Sequence, residues 1–362
     1  MGILGPEILR IAINLSVLLT AFSLILLAII VVIRIKAERR ARHTARYQHR
    51  VEPLVAGYVT GRRPADEVTP DLQRDPGEAL ALLMEVSERL EPSDRQKLHP
   101  LFAALPVRGD LREDLRSRNW EKRLPAAERL GYLGDHGTVD DLVAALKDEV
   151  LVVRFAAARS LVSLRAAGAV EPILLAFDVP GEMNERRTAE ILHEMGDAAV
   201  EPLLAVLRNG EGRHSDSVVN VAARVLGQLR APAAVAPLKQ LLGSKEFRVR
   251  LNAVRALGAI GDHSALSDVA KLADDPAWEV RNVVMQAIGR LHGRHEIDRL
   301  VTALGDTAWW VRFSAAQALY SLGEPGRDAL RRASREAADR YAREMSLQVL
   351  GEHGAPATAM TS

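Results

Sequence analysis

The chain has no cysteine among its 362 residues. That excludes disulfides, thiolate nucleophiles and Cys-ligated zinc. Aromatic residues are scarce at 4%, whereas strands favour aromatic and β-branched side chains. Ala, Leu and Arg fill helical positions at little cost, so the composition predicts an all-α chain. The sequence also lacks a glycine-rich phosphate loop, a nucleophile elbow and an H-E-x-x-H motif. No catalytic, metal or cofactor-binding residue is therefore expected, and no cofactor. The formal net charge is only +1, but its distribution is uneven. Residues 34–50 carry Arg34, Lys36, Arg39, Arg40, Arg42, Arg46 and Arg50 against Glu38, a local charge of +6. The chain beyond them is mildly acidic at −5.

Charge is absent altogether from "IAINLSVLLTAFSLILLAIIVVI", residues 11–33. As a helix this run would span roughly 34 Å, enough for the hydrocarbon core of a bilayer. A cleaved signal peptide would have a shorter apolar run, a basic segment before it and a small-residue cleavage site. Here the positive charge follows the run, so an uncleaved single-pass anchor is expected. Lys and Arg resist translocation. Residues 1–10 should then be extracytoplasmic, the basic juxtamembrane segment 34–50 should stay inside, and the bulk of the chain should be cytoplasmic. Attraction of that segment to anionic headgroups is a second expected role. Ala12, Ser16 and Thr20 recur at a spacing that permits close helix approach, a weak signal.

Past residue 117 the chain repeats. "NWEKRLPAAERLGYLGD" (119–135), "VLVVRFAAARSLVSLRA" (150–166), "EFRVRLNAVRALGAIGD" (246–262), "AWEVRNVVMQAIGRLHG" (277–293) and "AWWVRFSAAQALYSLGE" (308–324) share one template. One core position falls at Leu130, Leu161, Leu192, Leu226, Leu257, Ile288, Leu319 and Leu350. The step is 31 residues throughout except for one of 34, which coincides with the polar stretch "NGEGRHSDS" (209–217). Each unit reads as two helices separated by a breaker such as Gly134-Asp135, Gly196-Asp197 or Gly261-Asp262. Pro172, Pro202 and Pro237 fall in the first turn of the second helix, where a missing N–H is harmless. Helix pairs that cannot bury their apolar faces alone must stack, giving an α-solenoid of about seven to eight pairs over residues 118–351. Residues 51–117 lack the register and are expected to form degenerate capping helices, with "TGRRPADEVTPDLQ" (60–73) a loop. Residues 352–362 are expected to be a disordered tail.

The pattern V-R-x-x-A-A-x-A-L-x-x-L-G-D followed by a second amphipathic helix resembles the HEAT repeat. Its 31-residue period is similar to the HEAT-like repeats of the phycobilisome lyase type, and the anchored layout resembles bacterial single-pass HEAT-repeat proteins. The preference for Arg over Lys agrees with a bacterial, GC-rich source. The resemblance implies a fold and says little about activity.

Three residue columns follow from the register. An arginine column runs through Arg123, Arg154, Arg250, Arg281, Arg312 and Arg343, skipping Glu185 and Val219. Asp148, Asp275 and Asp306 lie six positions before three of these arginines, so a structural ladder between repeats is favoured over an anion site. The aromatic column Trp120, Phe247, Trp278 and Trp309 recurs at the repeat period, which points to packing between units. Trp310 and Tyr341 fall in an otherwise polar column near the C-terminus; they are expected either to be exposed, where paired aromatics are effective interface anchors, or to be buried by the terminal cap. On the second helices, Asp140, Asp141, Glu171, Glu201, Asp268 and Asp298 form an acidic stripe suited to a basic partner segment or simply to the helix dipoles. The sign of that stripe opposes nucleic acid, which needs a basic track. His193-Glu194 and His295-Glu296 are similar to the His-Glu pairs of HEAT-repeat deoxyhypusine hydroxylase. They fall out of register here, and no shared metal is expected.

The resulting expectation is a membrane-anchored, non-catalytic scaffold. It recruits protein partners, such as membrane-associated enzymes or signalling proteins, to the cytoplasmic face. The alternative is an accessory subunit or enzyme like the bilin lyases, which would show a deep apolar cleft with convergent polar groups.

Overall fold

A computed structural model describes residues 4–134, 136–209 and 213–354, which are helices joined by turns and short loops. Residues 1–3, Asp135, part of the 209–217 loop and most of the expected 352–362 tail lie outside them. The chain divides into two units, Met1–Leu111 and Arg112–Ser362.

The first unit opens with α1, a single helix over Leu4–Val59. Its apolar half is exposed wherever its side chains are described, with Leu18 at 68%, Phe22 at 59% and Ile33 at 60%. This makes α1 a candidate membrane span. The helix breaks neither between the apolar run and the basic segment nor after Arg50. Farther on, Tyr47, Val51 and Val55 are buried at successive turns of one face. That face packs against α2 (Ala65–Arg74) and α3 (Pro76–Arg89). Polar links flank the packing: His43 Nε2 lies 2.7 Å from Asp75 Oδ2, Thr44 donates to Glu78 at 3.1 Å, and Gln48 donates to Glu85 at 3.0 Å. The stretch read as a loop over residues 60–73 is largely α2. Pro64 stands at its N-cap, Asp66 and Glu67 complement its first turn, and Val68 and Leu72 are fully buried. Only two apolar residues lie on the face of so short a helix, too few for a periodic signal.

The second unit is a solenoid. Its first helices are Trp120–Leu130, Leu151–Ser163, Glu182–His193, Asp216–Gln228, Phe247–Ile260, Trp278–Arg290 and Trp309–Ser321, defining repeats 1 to 7. The matching second helices are His136–Ala145, Val170–Ala176, Val200–Arg208, Val235–Leu241, Leu266–Ala270, Ile297–Ala303 and Glu324–Glu336. Arg340–Gly354 takes an eighth first-helix position and carries the first three residues of the expected tail. Consecutive first helices pack on one another, and the second helices form a layer beside them.

The core column is legible in the burial pattern. Leu130, Leu161, Leu192, Leu226, Leu257, Ile288 and Leu319 are all at 0% exposure, each worth about 1.5–3 kcal/mol of apolar burial. Leu350 is only half-buried, since no further described helix covers it. The turn joining first to second helix demands a left-handed residue in every pair. Gly134, Gly196, Gly261 and Gly323 supply it with φ of 62–82°, while Arg165, Arg230 and His292 adopt φ of 50–53° at the equivalent positions. Glycine serves packing as well. A Cβ on Gly227 would stand 2.7 Å from Ala256 Cα, so the first helices of repeats 4 and 5 approach within backbone contact.

Candidate protein-binding surface

The arginine column forms a ladder whose wiring differs from the expected one. The carboxylate six residues before each arginine was its expected partner; instead each complete rung pairs an arginine with the aspartate 25 residues after it. Arg250 donates from Nε to Asp275 Oδ2 at 2.7 Å and from Nη2 to Oδ1 at 2.9 Å. Arg281 does the same to Asp306 at 2.7 and 2.9 Å, and Arg123 to Asp148 at 2.6 and 2.9 Å. The residue six positions earlier contributes its main-chain carbonyl: Arg281 Nη1 donates to Asp275 O at 2.8 Å, and Arg154 Nη1 to Asp148 O at 2.9 Å. Each carboxylate also caps the next first helix, accepting from the N–H of Val150, Ala277 or Ala308 at 2.8–2.9 Å. The helix pair folds back over those 25 residues, which brings the later aspartate, rather than the earlier one, to the guanidinium edge.

Burial, the largest influence, pushes the carboxyls of Asp148, Asp275 and Asp306 upward. The arginine and backbone hydrogen bonds together outweigh it and hold all three below the usual carboxylate range. Three rungs are incomplete. Position 179 is valine and position 337 alanine, so Arg154 and Arg312 lack the forward carboxylate, and their buried Nε atoms have no hydrogen-bond partner. Arg343 retains the carbonyl half alone, donating to Ala337 O at 2.5 Å and Ala338 O at 3.0 Å.

Where the column skips arginine, Glu185 is buried at 3% and receives Arg248 Nη2 at 3.0 Å from repeat 5. This long-range pair escaped sequence reasoning; its one sign was the acidic residue standing in a basic column. Arg248 also lines a 270 Å³ cleft with Arg224, Asn252, Asn282, Phe247 and Trp278 on the first helices. Arg255 also lines it, where burial holds its guanidinium below the usual arginine range, and Arg224 and Arg290 add to the effect.

The aromatic column is not sealed between repeats. Trp120, Phe247, Trp278 and Trp309 are 39–43% exposed. Trp310 and Tyr341 are more so, at 56% and 59%. Trp309 packs edge-on against Trp310 with centroids 4.7 Å apart and stacks on Phe313 at 5.1 Å. Tyr341 lies under the Arg312 guanidinium at 4.8 Å. The first helices of repeats 7 and 8 therefore each begin with exposed aromatic side chains, Trp309 and Trp310 on one and Tyr341 on the other.

The acidic stripe is largely neutralised by its surroundings. Asp141 pairs with Arg112 and Arg116, Asp268 with Lys239 and Lys271, Glu201 with Arg208, and Glu171 lies 3.8 Å from His214. Asp140 and Asp298 are exposed and carry no ion pair among the described residues. His193 and Glu194 are exposed at the end of a first helix; His295 and Glu296 lie in a turn before a second helix, where Glu296 accepts from Arg299. Among the described residues no three His, Asp or Glu side chains gather where a metal could bind. On α1, Arg34 and Arg42 flank Glu38, and Arg50 reaches Asp71 at 4.0 Å. Lys36, Arg39, Arg40 and Arg46 project to solvent without an ion pair among the described residues.

Stacked two-helix repeats with a shared core and an Asp–Arg ladder define an α-solenoid. A model of HEAT repeats matches residues 110–192, 200–289 and 269–351. The chain belongs to the HEAT-repeat family, whose members generally present elongated surfaces to protein partners. Among solved structures, importin beta is 15% identical over 82% of this chain, with a TM-score of 0.44. This chain spans only 47% of importin beta. The CpcE–CpcF complex of phycocyanin lyase from Nostoc sp. is 21% identical, covering 68% of this chain and 88% of that one with a TM-score of 0.28. Human deoxyhypusine hydroxylase is 18% identical, covering 76% and 97% with a TM-score of 0.30. No curated protein matches the chain.

Proposed function

We propose that the protein is a membrane-anchored, non-catalytic scaffold whose solenoid recruits protein partners to the cytoplasmic face. The observation that carries this reading is α1. One unbroken helix joins a 23-residue uncharged run, exposed wherever its side chains are described, to a basic segment and then to a face buried in a folded unit. Residues 11–33 cross the bilayer, residues 1–10 face outward, and the basic flank holds the orientation and meets anionic headgroups. Tethering raises the effective concentration of a captured partner without a tight site. The exposed aromatics at Trp309, Trp310 and Tyr341 support a protein partner. A lyase-like reading would need a deep apolar cleft, and the cleft at repeats 3–6 carries three arginines, two glutamates and two asparagines beside Phe247, Leu251 and Trp278. The test is a reporter fused after Ser362. A cytoplasm-only fluorescent protein should fold and fluoresce; activity from a periplasm-only reporter would reverse the orientation.

A further inference from the structure

The ladder contains its own template for a missing ligand. In repeats 1, 5 and 6 the Nε/Nη2 edge of the column arginine donates to one carboxylate bidentately, and the acceptor is the aspartate 25 residues on. In repeat 7 that position is Ala337, and Arg312 is left with its Nη1 bonds to Asp306 O at 2.7 Å and Thr307 O at 3.1 Å. Arg312 is only 9% exposed, its Nε is buried without a partner, and it makes no ion pair among the described residues. The backbone at the vacancy is otherwise that of a complete rung. Ala337 has φ −61° and ψ 131°, against −56° and 138° at Asp275. The Ala337 carbonyl accepts from Arg343, as the Asp275 carbonyl does from Arg281. Asp339, two residues on, turns its carboxylate to cap the Ala342 N–H rather than to Arg312.

We propose that the free edge of Arg312 is a docking site for an aspartate or glutamate side chain on a partner protein. Tyr341 and Trp310 receive the apolar residues beside that acid. A buried guanidinium without a counter-charge is costly, and a carboxylate arriving in the planar two-point geometry of the other rungs satisfies it. The Tyr341 ring, on a side chain 59% exposed, covers one face of the guanidinium and swings aside as the acid enters. The site rests on the scaffold reading above and names the chemistry of its partner.

The test fills the vacancy from within. Ala337→Asp should complete the rung and raise the melting temperature by about 2–4 °C. The full chain in phospholipid nanodiscs then serves as bait for a library of capped random decapeptides. Peptides selected on the wild-type chain should share one Asp or Glu beside an apolar residue. They should bind about tenfold more weakly to Ala337→Asp, and equally so when the acid is changed to its amide, the loss expected for a charge-assisted hydrogen bond. Failure to enrich an acid, or equal binding to Ala337→Asp, overturns the proposal. The scaffold reading is judged separately: if Ala337→Asp still crosslinks its partners in membranes, the scaffold stands and the Arg312 site falls.

Discussion

Asp275 does three things with one carboxylate. It neutralises Arg250 on two nitrogens, caps the N–H of Ala277, and sits at 7% exposure where nothing else can replace it. Removing one partner of a buried pair strands the other charge, which typically costs about 3–5 kcal/mol. Asp275→Ala should therefore lower solenoid stability by that amount in urea unfolding. Arg331→Ala, on a pair with both side chains nearly half exposed or more, should change it little. Equal losses would contradict the ladder's role. The same carboxyls set an acid limit. Their folded pKa lies below the unfolded value near 4, so the stability they give is complete at neutral pH and is lost as pH falls below about 4. Helical signal followed on acidification should drop there. The arginine column was readable from register alone. Its partners were not, because the sequence does not state which of two aspartates the helix pair folds onto each guanidinium.

Single elements followed the sequence where their apolar period was long and diverged where it was short. The first helices and their core leucines were legible because each repeats the same face eight times. Helix α2 was not, because Val68 and Leu72 alone mark its buried face. The turns between helices carry a signal visible only once the backbone is known. Seven equivalent positions take positive φ, and three of them are arginine or histidine. Gly261, at φ 82°, should lose about 1 kcal/mol on change to Ala, whose side chain disfavours that conformation. Arg230→Gly, at φ 50°, should not destabilise, because relief of strain offsets the freedom gained by the unfolded chain. Thermal melts of the two variants moving in the same direction would contradict the assignment.

For the whole molecule, the fold and the candidate membrane span were legible in the sequence, and the exposed aromatic surface only in part. The polar column of Trp310 and Tyr341 left open whether they are exposed or covered by the terminal cap, and the structure exposes them at 56% and 59%. Trp120, Phe247, Trp278 and Trp309, read from their period as packing between units, are 39–43% exposed, since a repeat period marks equivalent positions without telling how far they face inward. The acidic stripe lost weight once Arg112, Lys239 and Lys271 were seen to answer it. What remains is one long apolar helix that is a candidate membrane span, and exposed aromatic side chains on the first helices of repeats 7 and 8. The most direct measurement places a photocrosslinking amino acid at position 310 or 341, in the full chain and in a chain lacking residues 4–33, within intact cells. The scaffold account predicts discrete protein adducts at both positions, strongly reduced when the anchor is removed. Absence of adducts, or undiminished yield without the anchor, would contradict it.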